Sequence, residues 1–117
     1  MATIEHLTDE TFAAAVGRPG ITVIDFWAGW CRPCRAMAPQ FERAAALRPQ
    51  YRFAKIDVDA EPGLAARYGI RSIPTLMVLH DGRPIAAQAG IVGAEQLVQA
   101  LDRLAVAPAE TAASEAA

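Results

Sequence analysis

The stretch ITVIDFW at 21–27, followed by AGWCRPC at 28–34, decides the fold of this 117-residue chain. Its first part is almost continuously apolar and β-branched, which is typical of a strand covered on both faces. Its second part leads into a segment whose apolar residues recur at helical spacing: Met37, Phe41, Ala44 and Ala45. A buried strand that runs directly into an amphipathic helix predicts an α/β fold.

Cap and turn residues divide the rest of the chain into further elements. Thr8 is a helix N-cap, Gly17 to Gly20 end that helix, and Asp81-Gly82 is a hairpin turn. The signals predict strands at 3–7, 21–27, 51–59, 75–80 and 84–89, and helices at 9–16, 31–47 (kinked at Pro39), 62–69 and 94–106. The order βαβαβαββα predicts a mixed central β-sheet flanked by helices on both faces.

Composition narrows the class of protein. Eleven basic and thirteen acidic residues give a net charge of −2, which argues against a polybasic nucleic-acid binder. No apolar run is long enough to span a bilayer, and the polar segment 1–10 lacks the apolar core of a signal peptide. We therefore expect a cytoplasmic domain at 1–107, with a disordered tail at 108–117 rich in Ala, Thr, Ser and Glu.

The chain has two cysteines, Cys31 and Cys34. A disulfide that closes so short a loop stabilises a fold little, so a chemical role is expected. At a helix N-terminus the backbone N–H groups and the helix dipole favour a thiolate, which makes Cys31 the predicted nucleophile. Cys34, one turn further in and expected to be more buried, would resolve the mixed disulfide. Pro33 suits the first helical turn.

The sequence around the two cysteines does not favour a metal site or a haem attachment site. Zinc needs four ligands, and His6 and His80 are far from metal-ligand spacing. A haem attachment motif would need His where Arg35 stands. The remaining alternative is a pair of cysteines without function. We expect no metal and no cofactor.

Asp25 lies in the middle of the apolar run 21–27. Burial would raise the pKa of its carboxyl, which suits a group that exchanges a proton with Cys34 at neutral pH. The alternative is an aspartate at a strand end that reaches solvent.

Three separated segments resemble the thioredoxin family, and the resemblance extends over 1–107: VIDFWA at 23–28, WC and PC within 30–34, and YGIRSIPT at 68–75. From local sequence alone, Pro74 would simply open a strand. The resemblance implies the thioredoxin fold, with Pro74 in cis facing the cysteine pair and the Ile73 backbone pairing with an extended substrate. It also implies an apolar docking surface of Trp30, Gly90 and Ile91.

Lys55 is the only lysine of the chain, and the resemblance implies that it lies close to Asp25. A lysine places one compact charge whose pKa can shift, which an arginine cannot do. The alternative is that a single lysine occurs there by chance.

Arg32 departs from the family pattern, which usually has Gly between Trp-Cys and Pro-Cys. With Arg35 it adds positive charge near Cys31, which stabilises the thiolate and makes the pair a stronger oxidant. Selection of acidic partners is an alternative role, and an ordinary solvated loop residue is another.

The resemblance implies a protein-disulfide reductase that acts on disulfide-containing proteins and is re-reduced by an NADPH-dependent thioredoxin reductase. We expect a monomer that binds neither nucleic acid nor membrane. Two alternatives remain: a more oxidising oxidant or isomerase, and a non-catalytic binding subunit of a larger assembly.

Overall fold

The computed structural model describes residues 3–106. They form five strands and four helices in the predicted order. The strands are β1 (Ile4–His6), β2 (Ile21–Trp27), β3 (Arg52–Asp57), β4 (Thr75–His80) and β5 (Arg83–Ala89). The helices are α1 (Asp9–Val16), α2 (Arg32–Leu47), α3 (Pro62–Arg67) and α4 (Ala94–Val106). The predicted tail at 108–117 lies outside the described residues, as does the boundary at 107.

The sheet has the strand order β1-β3-β2-β4-β5, with β2 at its centre. Strands β1, β3 and β2 run parallel, whereas β4 is antiparallel to both β2 and β5. The mixed sheet that the sequence predicts is therefore confirmed. Parallel neighbours with a buried central strand require cover on both faces, and this explains the continuous apolar run of β2.

Alternate residues of β2 enter two separate cores. Val23 packs with residues of α2 and α4 on one face of the sheet. Ile24 and Phe26 pack with residues of α1 and α3 on the other face. The helices thus flank both faces, as predicted.

Local signals fix the ends of several elements. The Thr8 side chain accepts a hydrogen bond from the Thr11 amide in a capping box. Asp81 and Gly82 both have positive φ, at 53° and 83°, as a tight two-residue hairpin requires. Helix α2 is continuous through Pro39, and the kink there stays a prediction.

Strand β3 ends two residues earlier than predicted. The carboxylate of Asp57 accepts hydrogen bonds from the amides of Asp59 and Ala60, at 2.9 and 3.3 Å. These bonds turn the chain away from the sheet, because an aspartate side chain competes with the strand for nearby amides.

Neither edge of the sheet presents a long, regular strand. Strand β1 has only three residues. Strand β5 begins with Arg83 and Pro84, both exposed, and its register with β4 shifts between Val78 and Leu79. No helix within 3–106 is long and apolar enough to cross a membrane.

Candidate active site

The cysteine pair lies where the segment after β2 enters α2. Cys31 is the N-cap residue of that helix, and its Sγ accepts a hydrogen bond of 3.2 Å from the Cys34 amide. A first-turn N–H that has no acceptor within the helix thus donates to this sulfur, as expected for a position that stabilises a thiolate. The two cysteines form a disulfide with a Cα–Cα distance of 5.2 Å.

The expectation that Cys34 is the more buried cysteine is wrong for this disulfide form. Both residues are 3% exposed. Ala28 is buried with them, and Trp27, Val58 and Ile73 pack against the same cluster. The neighbours thus cover the two linked sulfurs together, and helix position alone does not predict their exposure.

A second segment faces Cys31 from the start of β4. The Ile73–Pro74 peptide bond is cis, as the resemblance implies, and Pro74 is fully buried. Cys31 Sγ lies 3.7 Å from the Ile73 carbonyl oxygen. The Gly90 amide donates a hydrogen bond of 2.9 Å to the Pro74 carbonyl. The fold therefore brings Cys31, Ile73, Pro74 and Gly90 together from three distant parts of the chain.

Two large apolar side chains on these segments are exposed. Trp30 is 66% exposed and Ile91 is 54% exposed. The Trp30 indole Nε1 donates a hydrogen bond of 2.7 Å to the Asp59 carboxylate. The sequence interpretation missed Asp59, since no local pattern links residues 29 positions apart.

Asp25 is a buried, unpartnered carboxyl. Its exposure is 0%, and neither carboxylate oxygen has a hydrogen-bond partner in the described part of the chain. Desolvation by burial raises the pKa of Asp25 from 3.8 to about 6, and the charge of Lys55 partly opposes the rise. The alternative of a solvent-facing aspartate at a strand end is therefore wrong, because Asp25 lies inside β2.

Lys55 is the register partner of Asp25 on the adjacent parallel strand β3, close to it as the resemblance implies. The lysine is half-buried, and its Nζ lies 4.9 Å from the centroid of the Trp27 ring. A cation over an aromatic face is attracted by the ring quadrupole, which holds this amine at the Trp27 ring, on the strand that carries Asp25.

The residues between and after the cysteines face solvent. Arg32, Pro33 and Arg35 are exposed, and Pro33 lies in the first turn of α2. Arg35 donates a hydrogen bond of 3.1 Å to the Gly29 carbonyl. Within 3–106, neither Arg32 nor Arg35 forms an ion pair. Two cations without an ion-pair partner among the described residues thus lie in the first turn of the helix that begins at Cys31.

The arrangement suits dithiol–disulfide exchange. Two cysteines at bonding distance can cycle between a disulfide and a dithiol, and a helix N-terminus stabilises the thiolate form. Among the described residues, no group of three or more His, Cys, Asp and Glu side chains is placed to hold a metal ion.

Comparison with known proteins agrees with this chemistry. A sequence model of the thioredoxin family matches residues 3–103. The chain is 41% identical over 101 residues to a thioredoxin of Staphylococcus aureus, covering 86% of this chain and 96% of that protein.

Solved structures lead to the same family. A thioredoxin of Malassezia sympodialis superposes with a TM-score of 0.79 at 29% identity, covering 88% of this chain and 91% of the other. A chain from a study of thiol resolution in the yeast mitochondrial 1-Cys peroxiredoxin has the same TM-score and identity, with coverages of 86% and 95%. The chain belongs to the thioredoxin family of thiol–disulfide oxidoreductases.

Proposed function

We propose that the protein reduces disulfides in protein substrates, with Cys31 as nucleophile and Cys34 as resolving cysteine. The observation that carries this assignment is Cys31 at the N-cap of α2, where its sulfur accepts a hydrogen bond from the Cys34 amide and faces the Ile73 carbonyl. The order of attack follows from the helix N-terminus, where backbone N–H groups and the helix dipole stabilise a thiolate.

The exchange proceeds in two steps. In the reduced protein, the Cys31 thiolate attacks one sulfur of the substrate disulfide, which forms a mixed disulfide and releases the other substrate sulfur as a thiolate. The Cys34 thiolate then attacks Cys31 Sγ, forms the internal disulfide and releases the second substrate sulfur. Two electrons pass from the dithiol to the substrate.

Asp25 is assigned as the group that accepts the Cys34 proton before the second step. A base is most effective when its pKa lies near the working pH, and burial brings the pKa of Asp25 to about 6. Its two oxygens, without hydrogen-bond partners among residues 3–106, are free to take a proton. Lys55 is assigned to tune that pKa from the neighbouring strand.

The docking surface is assigned to Trp30, Pro33, Ile73, Pro74, Gly90 and Ile91, with Arg32 beside them. The exposed side chains of Trp30 and Ile91 suit an extended segment of a protein substrate, which would pair with the Ile73 backbone above the buried Pro74. A thioredoxin reductase drawing on NADPH would restore the dithiol, and the expected compartment is the cytoplasm.

Reduction of insulin in the presence of NADPH and thioredoxin reductase tests the proposal. Wild-type protein should turn over, and Cys31→Ser should lose activity completely. Cys34→Ser should accumulate the mixed disulfide, detectable as a covalent adduct by mass spectrometry. Insulin reduction that persists in Cys31→Ser contradicts the assignment.

The more oxidising alternative has one observation in its favour. Arg32 and Arg35 are cations without ion-pair partners within 3–106, and such charges favour the thiolate and hence the reduced form. The equilibrium of the Cys31–Cys34 couple against glutathione distinguishes a reductant from an oxidant. A non-catalytic binding subunit would instead keep its partner after both cysteines are replaced.

A further inference from the structure

The segment Gly90–Ala94, here called the 90–94 loop, joins β5 to α4 and carries part of the proposed docking surface. Its amides are held at three points. The Gly90 amide donates to the Pro74 carbonyl at 2.9 Å. The Val92 amide donates to the Met37 thioether Sδ at 3.3 Å, and the Ala94 amide donates to Gln40 Oε1 at 2.9 Å.

Met37 is fully buried in the core on the α2 side of the sheet. It lies three residues after Cys34, one turn further along α2. A thioether is a weak acceptor, yet a partly buried backbone N–H without any partner is unfavourable. Among residues 3–106 the Val92 amide has this sulfur as its acceptor. Leucine at position 37 would fill a similar volume but offer no acceptor.

Gln40 makes up for a missing cap at the start of α4. The Gly93 carbonyl accepts the first helical bond from the Leu97 amide at 2.9 Å, so Gly93 is in the N-cap position. Glycine has no side chain to accept a hydrogen bond from the first turn. The acceptor for the Ala94 amide comes instead from another helix, as Gln40 Oε1.

Both side-chain acceptors belong to the helix that begins at the cysteine pair. We propose that Met37 and Gln40 are positioning residues, which hold the 90–94 loop in register with Cys31 and thereby preorganise Ile91 for protein substrates. The inference rests on the proposed function, since it assigns these residues to the same docking surface. Preorganisation strengthens binding by reducing the ordering that binding requires.

This role predicts an effect on protein substrates and none on thiol chemistry. Met37→Leu and Gln40→Leu each remove one acceptor without a large change in side-chain size. We expect the KM for insulin to rise about two- to tenfold, the range that one lost hydrogen bond produces. The kcat should not change, and neither should the rate with hydroxyethyl disulfide, which is too small to span the surface.

Two matched variants provide the controls. Met77→Leu makes the same exchange in β4, at a residue 4% exposed in the opposite core, and should leave the KM unchanged. Gln40→Glu retains an acceptor oxygen and should keep a KM close to wild type. An unchanged KM in Met37→Leu and Gln40→Leu overturns the proposal. An equal rise in Met77→Leu, or a parallel loss with hydroxyethyl disulfide, also overturns it.

Amide hydrogen exchange tests the anchors without relying on activity. The Val92 amide should exchange faster in Met37→Leu, and the Ala94 amide faster in Gln40→Leu, with both unchanged in Met77→Leu. Wild-type exchange rates in the two anchor variants would overturn the proposal. If wild-type protein fails to reduce insulin, the proposed function fails, and exchange still decides whether the anchors exist.

Discussion

Two aspartates lie in opposite environments, one in the strand before helix α2 and one bound at the C-terminal end of that helix. Asp25, in the strand that precedes α2, is buried without a hydrogen-bond partner among the described residues, and burial raises its pKa to about 6. At the C-terminus of α2, Arg48 binds both oxygens of Asp102, which also accepts a hydrogen bond of 2.7 Å from the Tyr51 hydroxyl. These bonds lower the pKa of Asp102 to about 2.

The difference in pKa separates Asp102, which stabilises the fold, from Asp25, which belongs to the candidate active site. The hydrogen bonds around Asp102 join the end of α2 to α4 and keep the Asp102 carboxyl ionised at neutral pH. The environment of Asp25 instead leaves the carboxyl close to its titration point at neutral pH, at the expense of stability. Two groups of one type whose pKa values are pushed apart in this way mark different roles.

The largest expected effect comes from removing the buried charge. In the folded protein the pKa of Asp25 is raised from 3.8 to about 6, so the folded state binds more protons than the unfolded state between these values. Its contribution to stability is therefore lost as pH rises through that window. At pH 7.5 Asp25→Asn should stabilise the oxidised protein by up to about 3 kcal/mol, the equivalent of the shift.

Urea unfolding of the two oxidised proteins across a pH series measures this difference. The gain should disappear near pH 2.5, well below the ordinary pKa of 3.8, where the carboxyl is protonated in both states, which makes the acidic sample its own control. A stability difference that does not vary with pH would contradict the raised pKa. Insulin reduction should meanwhile slow in Asp25→Asn, because Cys34 loses its proton acceptor.

A smaller effect of opposite sign is expected at the C-terminal end of α2. The lowered pKa of Asp102 means that its contribution is present above pH 3.8 and is lost as pH falls towards about 2. Asp102→Asn should therefore destabilise the protein at pH 7 and leave insulin reduction unchanged.

Glu95→Gln is the matched control for Asp102→Asn. Glu95 is another α4 carboxylate and pairs with Arg43 of α2, but both residues of this pair are largely exposed. Exposed pairs contribute little, so thermal unfolding should detect a loss in Asp102→Asn and almost none in Glu95→Gln. Equal losses in the two variants would contradict a special role of the Arg48 network.

The next prediction concerns the group that moderates the Asp25 shift. Lys55 lowers the pKa of Asp25, so Lys55→Gln should raise that pKa further. The acidic limb of the pH profile of insulin reduction should move to higher pH. Arg83→Gln removes an exposed cation at the sheet edge and should leave the profile in place. A profile that stays fixed in Lys55→Gln would separate Lys55 from the chemistry.

The smallest effect is expected at Arg32, whose charge is exposed and screened. An exposed charge interaction corresponds to a shift of about 5–20 mV in the potential of the cysteine couple. Arg32→Gly should lower the reduction potential, measured by equilibration with glutathione, because the thiolate loses a stabilising charge. A rise in the reduction potential, or no measurable change, would favour substrate selection as the role of Arg32.

Sequence reasoning predicted the features that depend on local chemistry. The capping threonine, the Asp81-Gly82 turn and the cysteine at the helix start are each determined by neighbours in the chain. Contacts such as Trp30 with Asp59, or Met37 with Val92, join residues far apart and depend on how the elements pack. No local pattern encodes them, which is why the anchors of the 90–94 loop were not predicted.

The two edge strands of the sheet, β1 and β5, affect how readily the protein aggregates in concentrated solution. An open strand edge is a template on which other chains can polymerise, and long flat edges promote fibres. Here one edge is a strand of three residues, and the other begins with a cation and a proline that lacks an amide hydrogen. The domain can therefore expose an apolar side chain such as Trp30 while its edge strands offer few backbone groups for pairing with another chain.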